Sequence, residues 1–96
     1  MDNVNQPSHY SGNASELLKA VRDIFVKDCD VVDMECIQAM VNQMNDVREI
    51  VGFLRGNTFK YQWRYQKKNG IEDLKKAKVY LNWLIEVAQV VEADRE

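Results

Sequence analysis

The apolar residues of this chain recur every three or four positions, which is the spacing of an amphipathic α-helix. A first helix is predicted from Ser15, which can act as its N-cap, to about Lys27. Its apolar positions are Leu17, Leu18, Val21, Ile24 and Phe25. Asp33 then caps a predicted second helix, whose methionine content is typical of an adaptable contact surface. The apolar side of this helix comprises Met34, Ile37, Met40, Val41 and Met44.

The next segment leaves two interpretations open. Asp46 and Glu49 form a capping-box pattern for a third helix with apolar Val47, Ile50, Val51 and Leu54. Gly56 and Asn57 weaken a helix, so the third helix either continues through them, or kinks there or brings its backbone close to another group. Residues 58–68 again read as helical, and Asn69-Gly70 is a strong helix stop.

A last helix is predicted from Ile71 to about Glu92, with acidic residues in its first turn, where they suit the helix dipole. One apolar stripe comprises Ile71, Leu74, Ala77, Leu81, Leu84, Ile85 and Ala88. A second set widens it and comprises Tyr80, Trp83, Val87 and Val90. A stripe this wide predicts burial on two sides, one of them against a second subunit, so we expect a homo-oligomer.

These patterns predict an all-α fold, because no stretch shows the alternating β-branched pattern of a strand. With 96 residues the chain is one domain. We expect a small bundle of about four helices over residues 15–96 and a flexible N-terminal arm over residues 1–14, which holds the only proline and the only histidine.

Charge is strongly segregated along the chain. Residues 55–78 contain eight basic and two acidic residues, a balance of +6. Since the net charge of the whole chain is −2, the remaining residues have a balance of −8. A local positive field of this kind attracts phosphates or other acidic ligands.

Several classes of protein lack support. Cys29 and Cys36 are interpreted as reduced and partly buried, because neither belongs to a zinc or disulfide pattern. The polar N-terminus resembles no signal peptide and no long apolar run occurs, so a cytoplasmic location is expected. The sequence contains no metal-binding motif, no catalytic triad pattern and no glycine-rich phosphate loop.

The basic segment interleaves cations with aromatic residues. Lys60, Arg64 and Lys67 fall at i, i+4 and i+7, which places three cations along one helix face. The aromatic residues among them are Phe59, Tyr61, Trp63 and Tyr65. This arrangement suits a nucleotide, whose base stacks on aromatic rings while its phosphates meet the cations. The alternative is a solvated helix face whose aromatic side chains point into the core.

Three stretches, "DNVNQPSHYSG", "MECIQAM" and "FLRGNTFKYQWRYQKKNGIEDLKKAKVYLNWLIE", resemble in this order the SaV-like family of small phage proteins, often described as phage nucleotide kinases. The resemblance implies a kinase of deoxynucleoside monophosphates that lacks a P-loop and acts in the host cytoplasm. Residues 15–33 separate the first two stretches and form an apparent insertion relative to the family.

The basic segment and the resemblance together indicate a set of site residues. Lys60, Arg64 and Lys67 are the candidate catalytic residues, because they would neutralise the transferred phosphate. The candidate nucleotide-binding residues are His9, Tyr10, Glu35, Arg55, Gly56, Asn57, Tyr61, Trp63, Lys68, Asp73 and Lys76. Within this set, Asn57 would orient the phosphates, Tyr61 or Trp63 would contact the base, and Glu35 or Asp73 would hold the sugar or a basic side chain.

The sequence therefore favours a nucleotide-binding protein that uses ATP or another nucleotide as co-substrate if it is a kinase, with Mg²⁺ as a companion ion although no metal motif is present. A second hypothesis is sequestration of a nucleotide without turnover. A third is nucleic-acid binding by the basic helix face, against which the overall acidity counts. The fourth is a structural or partner-binding role, which the wide apolar stripes would serve equally well.

Overall fold

A computed structural model describes residues 14–26 and 34–95 of the chain, and these residues form four helices and no strand. The helices are α1 (Ala14–Val26), α2 (Met34–Gln43), α3 (Val47–Arg64) and α4 (Ile71–Arg95). The predicted all-α fold of about four helices is confirmed. Ser15 lies inside the first turn of α1 rather than at its N-cap, because the helix already begins at Ala14.

The predicted start of α3 is confirmed in its hydrogen bonds. The carboxylate of Asp46 accepts a bond from the backbone N–H of Arg48 at 2.8 Å, and Oε1 of Glu49 accepts one from the backbone N–H of Asn45 at 2.9 Å. Asp46 thus satisfies one donor that the helix N-terminus leaves without a partner, whereas Glu49 binds the backbone one residue before the N-cap, so the pair forms a variant of the predicted capping box.

Helix α3 continues through Gly56 and Asn57, which settles the choice that the sequence left open. A Cβ built on Gly56 would have no neighbour within 4 Å, so no part of the described chain approaches this glycine closely. The helix ends at Arg64, four residues before the predicted end at Lys68, and residues 65–70 form a turn. Gly70 closes this turn with a φ of 62°, and its N–H donates to the carbonyl of Tyr65 at 2.8 Å.

The core lies between the α3–α4 hairpin and the two shorter helices. The two long helices run antiparallel, since the start of α3 and the end of α4 line one concavity. Helix α1 packs mainly on α4, and two side chains tie it to α2: Arg22 donates to the carbonyls of Asn42 and Met44, and Gln38 donates to that of Phe25. The buried apolar core comprises Leu17, Val21, Ile24, Phe25, Ile37, Val41, Val47, Ile50, Leu54, Ala77, Tyr80, Trp83 and Val87.

Within the described part of the chain, helix α4 buries one of its two apolar sides. Its buried side comprises Asp73, Ala77, Tyr80, Trp83 and Val87. Trp83 packs against Phe25 of α1 with ring centroids 5.2 Å apart. Most of the other predicted stripe is exposed, including Ile71, Leu74, Leu81 and Ile85. Burial on the domain side is therefore confirmed, and the second side faces away from α1 and α2.

Candidate functional site

Three cations surround one aromatic ring at the C-terminal end of α3. The ammonium of Lys60 lies 4.6 Å from the centroid of the Tyr61 ring, the guanidinium carbon of Arg64 lies 4.8 Å from it, and the ammonium of Lys76 lies 5.6 Å from it. These distances are within the range of cation–π attraction. Positive charge from two helices thus converges on one half-buried side chain.

The sequence creates this arrangement through helical spacing. Asn57, Lys60, Tyr61 and Arg64 follow each other at i, i+3, i+4 and i+7 on α3, so they share one face of that helix. Lys76 lies on α4 one turn before Tyr80, and the Tyr80 ring stacks on that of Tyr61 with centroids 5.7 Å apart and an interplanar angle of 18°. The stacked tyrosines therefore hold the cation-bearing parts of the two helices in register.

All of these residues except Arg64 line a concavity of about 520 Å³ between α2, α3 and α4, which we call the cationic pocket. It is lined by Cys36, Ile37, Met40, Phe53, Asn57, Lys60, Tyr61, Lys76 and Tyr80. One wall is thus largely apolar and the other carries two lysines, and no acidic residue of the described chain lines the pocket. Neither lysine forms an ion pair with an acidic residue among the described residues.

Arg64 is held from behind by a buried carboxylate. Its Nε donates to Oδ2 of Asp73 at 3.2 Å and its Nη2 contacts Oδ1 at 3.4 Å. The backbone and side-chain N–H groups of Asn69 each donate to the same carboxylate at 3.2 Å. Asp73 is fully buried, and Arg64 is about one-third exposed. This network ties the end of α3 to the start of α4 beside the pocket.

The pKa of Asp73 lies below its usual value of 3.8. Burial of the carboxyl opposes ionisation and by itself raises the pKa, but the hydrogen bonds from Arg64 and Asn69 and the charge of Arg64 outweigh it. Asp73 is therefore ionised at neutral pH. Since it has no exposed surface, it holds a basic side chain, one of its two predicted roles, and does not meet a sugar in this conformation.

Asn57 lines the pocket and uses its side-chain nitrogen within its own helix. Its Nδ2 donates to the carbonyl of Phe53 at 2.9 Å, one turn earlier on the same helix. Its Oδ1 has no hydrogen-bond partner in the described part of the chain. Its amide N–H is thus engaged within α3, and the predicted role of Asn57 in orienting phosphates stays a prediction.

Several predicted site residues lie elsewhere. Arg55 and Gly56 line a different concavity on the other side of α3, together with Phe59. Trp63 stacks on Phe59 and is 78% exposed, so it is not a wall of the cationic pocket. The predicted row of three cations is wrong at its end: the helix stops at Arg64, and Lys67 and Lys68 lie exposed in the following turn.

For three further predicted site residues the structure describes either no atoms or the backbone alone. His9 and Tyr10 lie outside the described residues. The backbone of Glu35 lies in the first turn of α2, next to the pocket residue Cys36, but its side chain is not among those described. The placement of all three side chains at the pocket stays a prediction, as does the interpretation of residues 15–33 as an insertion.

Sequence reasoning missed parts of the pocket wall. The sequence assigned Tyr80 to the apolar stripe of α4, but its ring also stacks on that of Tyr61 and lines the pocket. Cys36 was expected to be partly buried, but it is an exposed free thiol at the rim, because the start of α2 is not covered by another described helix. The methionine-rich side of α2 was the available signal, since Met40 lines the pocket.

The described residues contain neither a cluster of metal-binding side chains nor a membrane-spanning helix. No group of three or more His, Cys, Asp or Glu side chains there is arranged to hold a metal ion. No described helix combines the length and apolar character that a membrane span requires.

The fold and the pocket define a small all-α protein with a cationic, aromatic concavity between three helices. Residues 4–82 match the model of DUF3310, a family described as proteins of unknown function, and the chain belongs to this family. Comparison with curated proteins and with solved structures finds no match.

Proposed function

We propose that this protein binds a nucleotide in the cationic pocket. The observation that carries the proposal is the convergence of Lys60, Arg64 and Lys76 on the Tyr61 ring, at the edge of a concavity of about 520 Å³. A volume of this size falls within the range of roughly 300–1,000 Å³ that is typical of small-molecule sites. One nucleotide combines the two chemistries that the walls offer, an anion and a planar ring.

In this proposal the two pocket lysines bind the phosphate groups of the nucleotide. Lys60 and Lys76 come from different helices, line the same concavity and have no acidic partner in the described chain, so a doubly charged phosphate can be neutralised between them. Arg64 contributes positive charge from behind, but its guanidinium is engaged by Asp73. We assign Arg64 to positioning of the pocket and no longer to direct phosphate contact.

The base and sugar belong at the opposite wall. Ile37, Met40 and Phe53 offer apolar surface for a planar base, and Met40 can adapt to bases of different size. Oδ1 of Asn57 can accept a hydrogen bond from a base N–H or a sugar hydroxyl. We also keep Glu35, predicted from the sequence, as a proposed acceptor for the sugar.

Binding is better supported than phosphoryl transfer. The resemblance to the SaV-like proteins implies a deoxynucleoside monophosphate kinase with ATP as donor and Mg²⁺ as companion, which remains our proposal for turnover. Transfer requires donor and acceptor phosphates in line. The pocket as described suits a single nucleotide, so a kinase would need further groups from the arm or a second copy to hold the other one.

The remaining expectations are proposals as well. We place the protein in the cytoplasm and expect it to self-associate, as the exposed side of α4 suggests. Nucleic-acid binding is less supported, since only Lys60 and Lys76 of the basic segment line the cationic pocket and the overall charge is −2.

Isothermal titration calorimetry with the full chain tests the proposal. The ligands are deoxynucleoside mono- and triphosphates, the matching nucleosides and inorganic phosphate, with and without Mg²⁺. We expect saturable binding of nucleotides and much weaker binding of both fragments, because each fragment fills one wall only. Equal affinity for nucleoside and nucleotide, or no binding of any of them, would overturn the proposal.

Two additions to this titration separate the alternatives. Chromatography of a mixture with ATP and each monophosphate shows turnover if a nucleoside diphosphate forms, and recovery of intact bound ligand indicates sequestration. A single-stranded oligonucleotide whose affinity exceeds that of the mononucleotides and falls steeply with salt would instead favour nucleic-acid binding.

A further inference from the structure

The exposed apolar surface of this protein is concentrated on one side. Seven large hydrophobic side chains are exposed among the described residues, and six of them belong to α3 or α4. The six are Phe59, Trp63, Ile71, Leu74, Leu81 and Ile85. Small monomeric proteins seldom leave an apolar patch of this extent in water, so a cluster of this kind marks an interaction surface.

This surface lies across the α3–α4 hairpin from the cationic pocket. Leu84 of α4 and Phe59 of α3 line one concavity there, and Val51, Leu84 and Ala88 line its neighbour. Helices α1 and α2 pack on the other side of the hairpin, where Trp83 meets Phe25 and Tyr80 meets Tyr61. We call the surface formed by Val51, Phe59, Leu81, Leu84, Ile85 and Ala88 the bare face.

The outer edge of α4 carries a seam with heptad spacing. Leu74, Lys78, Leu81, Ile85, Ala88 and Glu92 follow one another at alternating intervals of four and three residues. This is the spacing of the a and d positions by which two helices pack side by side. The seam is apolar in its middle, with one cation toward one end and one anion toward the other.

The two charged residues of the seam favour a second copy of this chain as the partner, in an antiparallel orientation. A parallel pair of α4 helices would bring Lys78 against Lys78 and Glu92 against Glu92, and like charges repel. An antiparallel pair brings each Lys78 within about one turn of Glu92 of the second copy. Both side chains lie on exposed positions, and neither forms an ion pair within the described chain.

We propose that the bare face binds a second copy of this chain, with the two α4 helices antiparallel and related by a two-fold axis. In this register Leu81 lies opposite Ile85 of the second copy, and Lys78 pairs with its Glu92. The described structure measures 46 × 25 × 22 Å, so its long face has room for the roughly 800 Å² per partner of a standard interface. The pocket stays open, because it lies on the other side of the hairpin.

Sedimentation equilibrium of the full chain tests the dimer. We expect a mass of twice 11.2 kDa for the natural sequence and of 11.2 kDa for the double variant Leu81→Glu/Ile85→Glu, because four carboxylates would otherwise be buried together. The matched control is Ala20→Glu/Ala39→Glu, which adds the same charge at exposed positions of α1 and α2, away from the seam, and should remain dimeric. Circular dichroism verifies that each variant is helical.

A charge exchange tests the orientation. Lys78→Glu and Glu92→Lys should each raise the dimer Kd by roughly 2- to 30-fold, since each alters two symmetric ion pairs, and the double exchange should restore it. A monomeric natural protein, an unchanged mass of the Leu81→Glu/Ile85→Glu variant, or a double exchange as weak as the sum of the single changes would each overturn the proposal. Nucleotide affinity is measured in parallel, so that loss of the dimer and failure of the pocket are told apart.

Discussion

Removal of the two pocket lysines should weaken nucleotide binding far more than removal of two other lysines from the same basic segment. The test pair is Lys60→Ala/Lys76→Ala, and the matched control is Lys67→Ala/Lys68→Ala, which removes the same charge from the exposed turn. Arg64 is left intact on purpose. Its loss would leave the buried carboxylate of Asp73 without its cation and would confuse lost binding with lost folding.

The size of the effect follows from charge and exposure. Two unit charges 4 Å apart interact by about 1 kcal/mol in water and by about 4 kcal/mol at the effective dielectric of a protein surface. Lys60 is exposed, so its interaction energy with a phosphate lies near the lower of these two limits. Lys76 is half-buried, so its interaction energy is somewhat larger. Together they contribute about 2–3 kcal/mol, which corresponds to a rise in Kd of roughly 30- to 150-fold.

The assay is calorimetric titration of a deoxynucleoside monophosphate at low and at moderate salt. The control pair should change the Kd by less than about twofold, because two exposed charges away from the ligand are screened by salt within roughly 10 Å. If both double variants bind with similar affinity, the charge effect is a general one of the basic segment and the pocket is not the site.

Five further variants, at four positions, probe the pocket and the framework behind it. Tyr61→Phe should keep most of the nucleotide affinity in the same titration, whereas Tyr61→Ala should lower it, because the ring and not the hydroxyl carries the stacking and the cation contacts. Asp73→Asn should lower the melting temperature at neutral pH. Because the pKa of Asp73 is lowered in the folded protein, its ionised carboxylate stabilises the fold above pH 3.8, and this stabilisation is lost as the pH falls below that value. The variant lacks this carboxylate, so its stability should fall less steeply on acid titration than that of the natural protein. Trp83→Ala, at a side chain only 2% exposed, should cost about 3–5 kcal/mol in urea unfolding. Gly70→Ala, at a φ of 62°, should cost about 1 kcal/mol in the same measurement. Unchanged stability of the last three variants, or equal affinities of the two Tyr61 variants, would contradict these assignments.

The helices could be predicted from the sequence because each has a periodic apolar side and recognisable ends. The Asp46 cap, the start of α2 at Met34 and the turn at Gly70 all follow from local chemistry. The end of α3 at Arg64 could not be predicted, because residues 65–68 have no strong helix breaker. The helix ends there through contacts with residues further along the chain. Arg64 is drawn to Asp73 nine positions later, and no local signal encodes such a pair.

The same distinction applies to the site. Lys60, Tyr61 and Asn57 share a helix face by spacing alone, so their grouping was predictable. That Lys76 joins them, whereas Trp63 and Arg55 do not, depends on how α4 lies against α3. The two apolar sides of α4 were both visible in the sequence. Which of them the domain buries depends on where α1 packs, a contact between residues far apart in the chain.

Occupation of the cationic pocket by a nucleotide can be observed directly by ¹H–¹⁵N NMR of the labelled full chain during titration with a deoxynucleoside monophosphate. We expect the largest shift changes at the residues around the pocket, among them Ile37, Tyr61 and Lys76 on three different helices. Backbone signals on the bare face, such as those of Phe59 and Leu84, should move little. Shift changes centred on the bare face, or none at saturating nucleotide, would contradict nucleotide binding in the pocket.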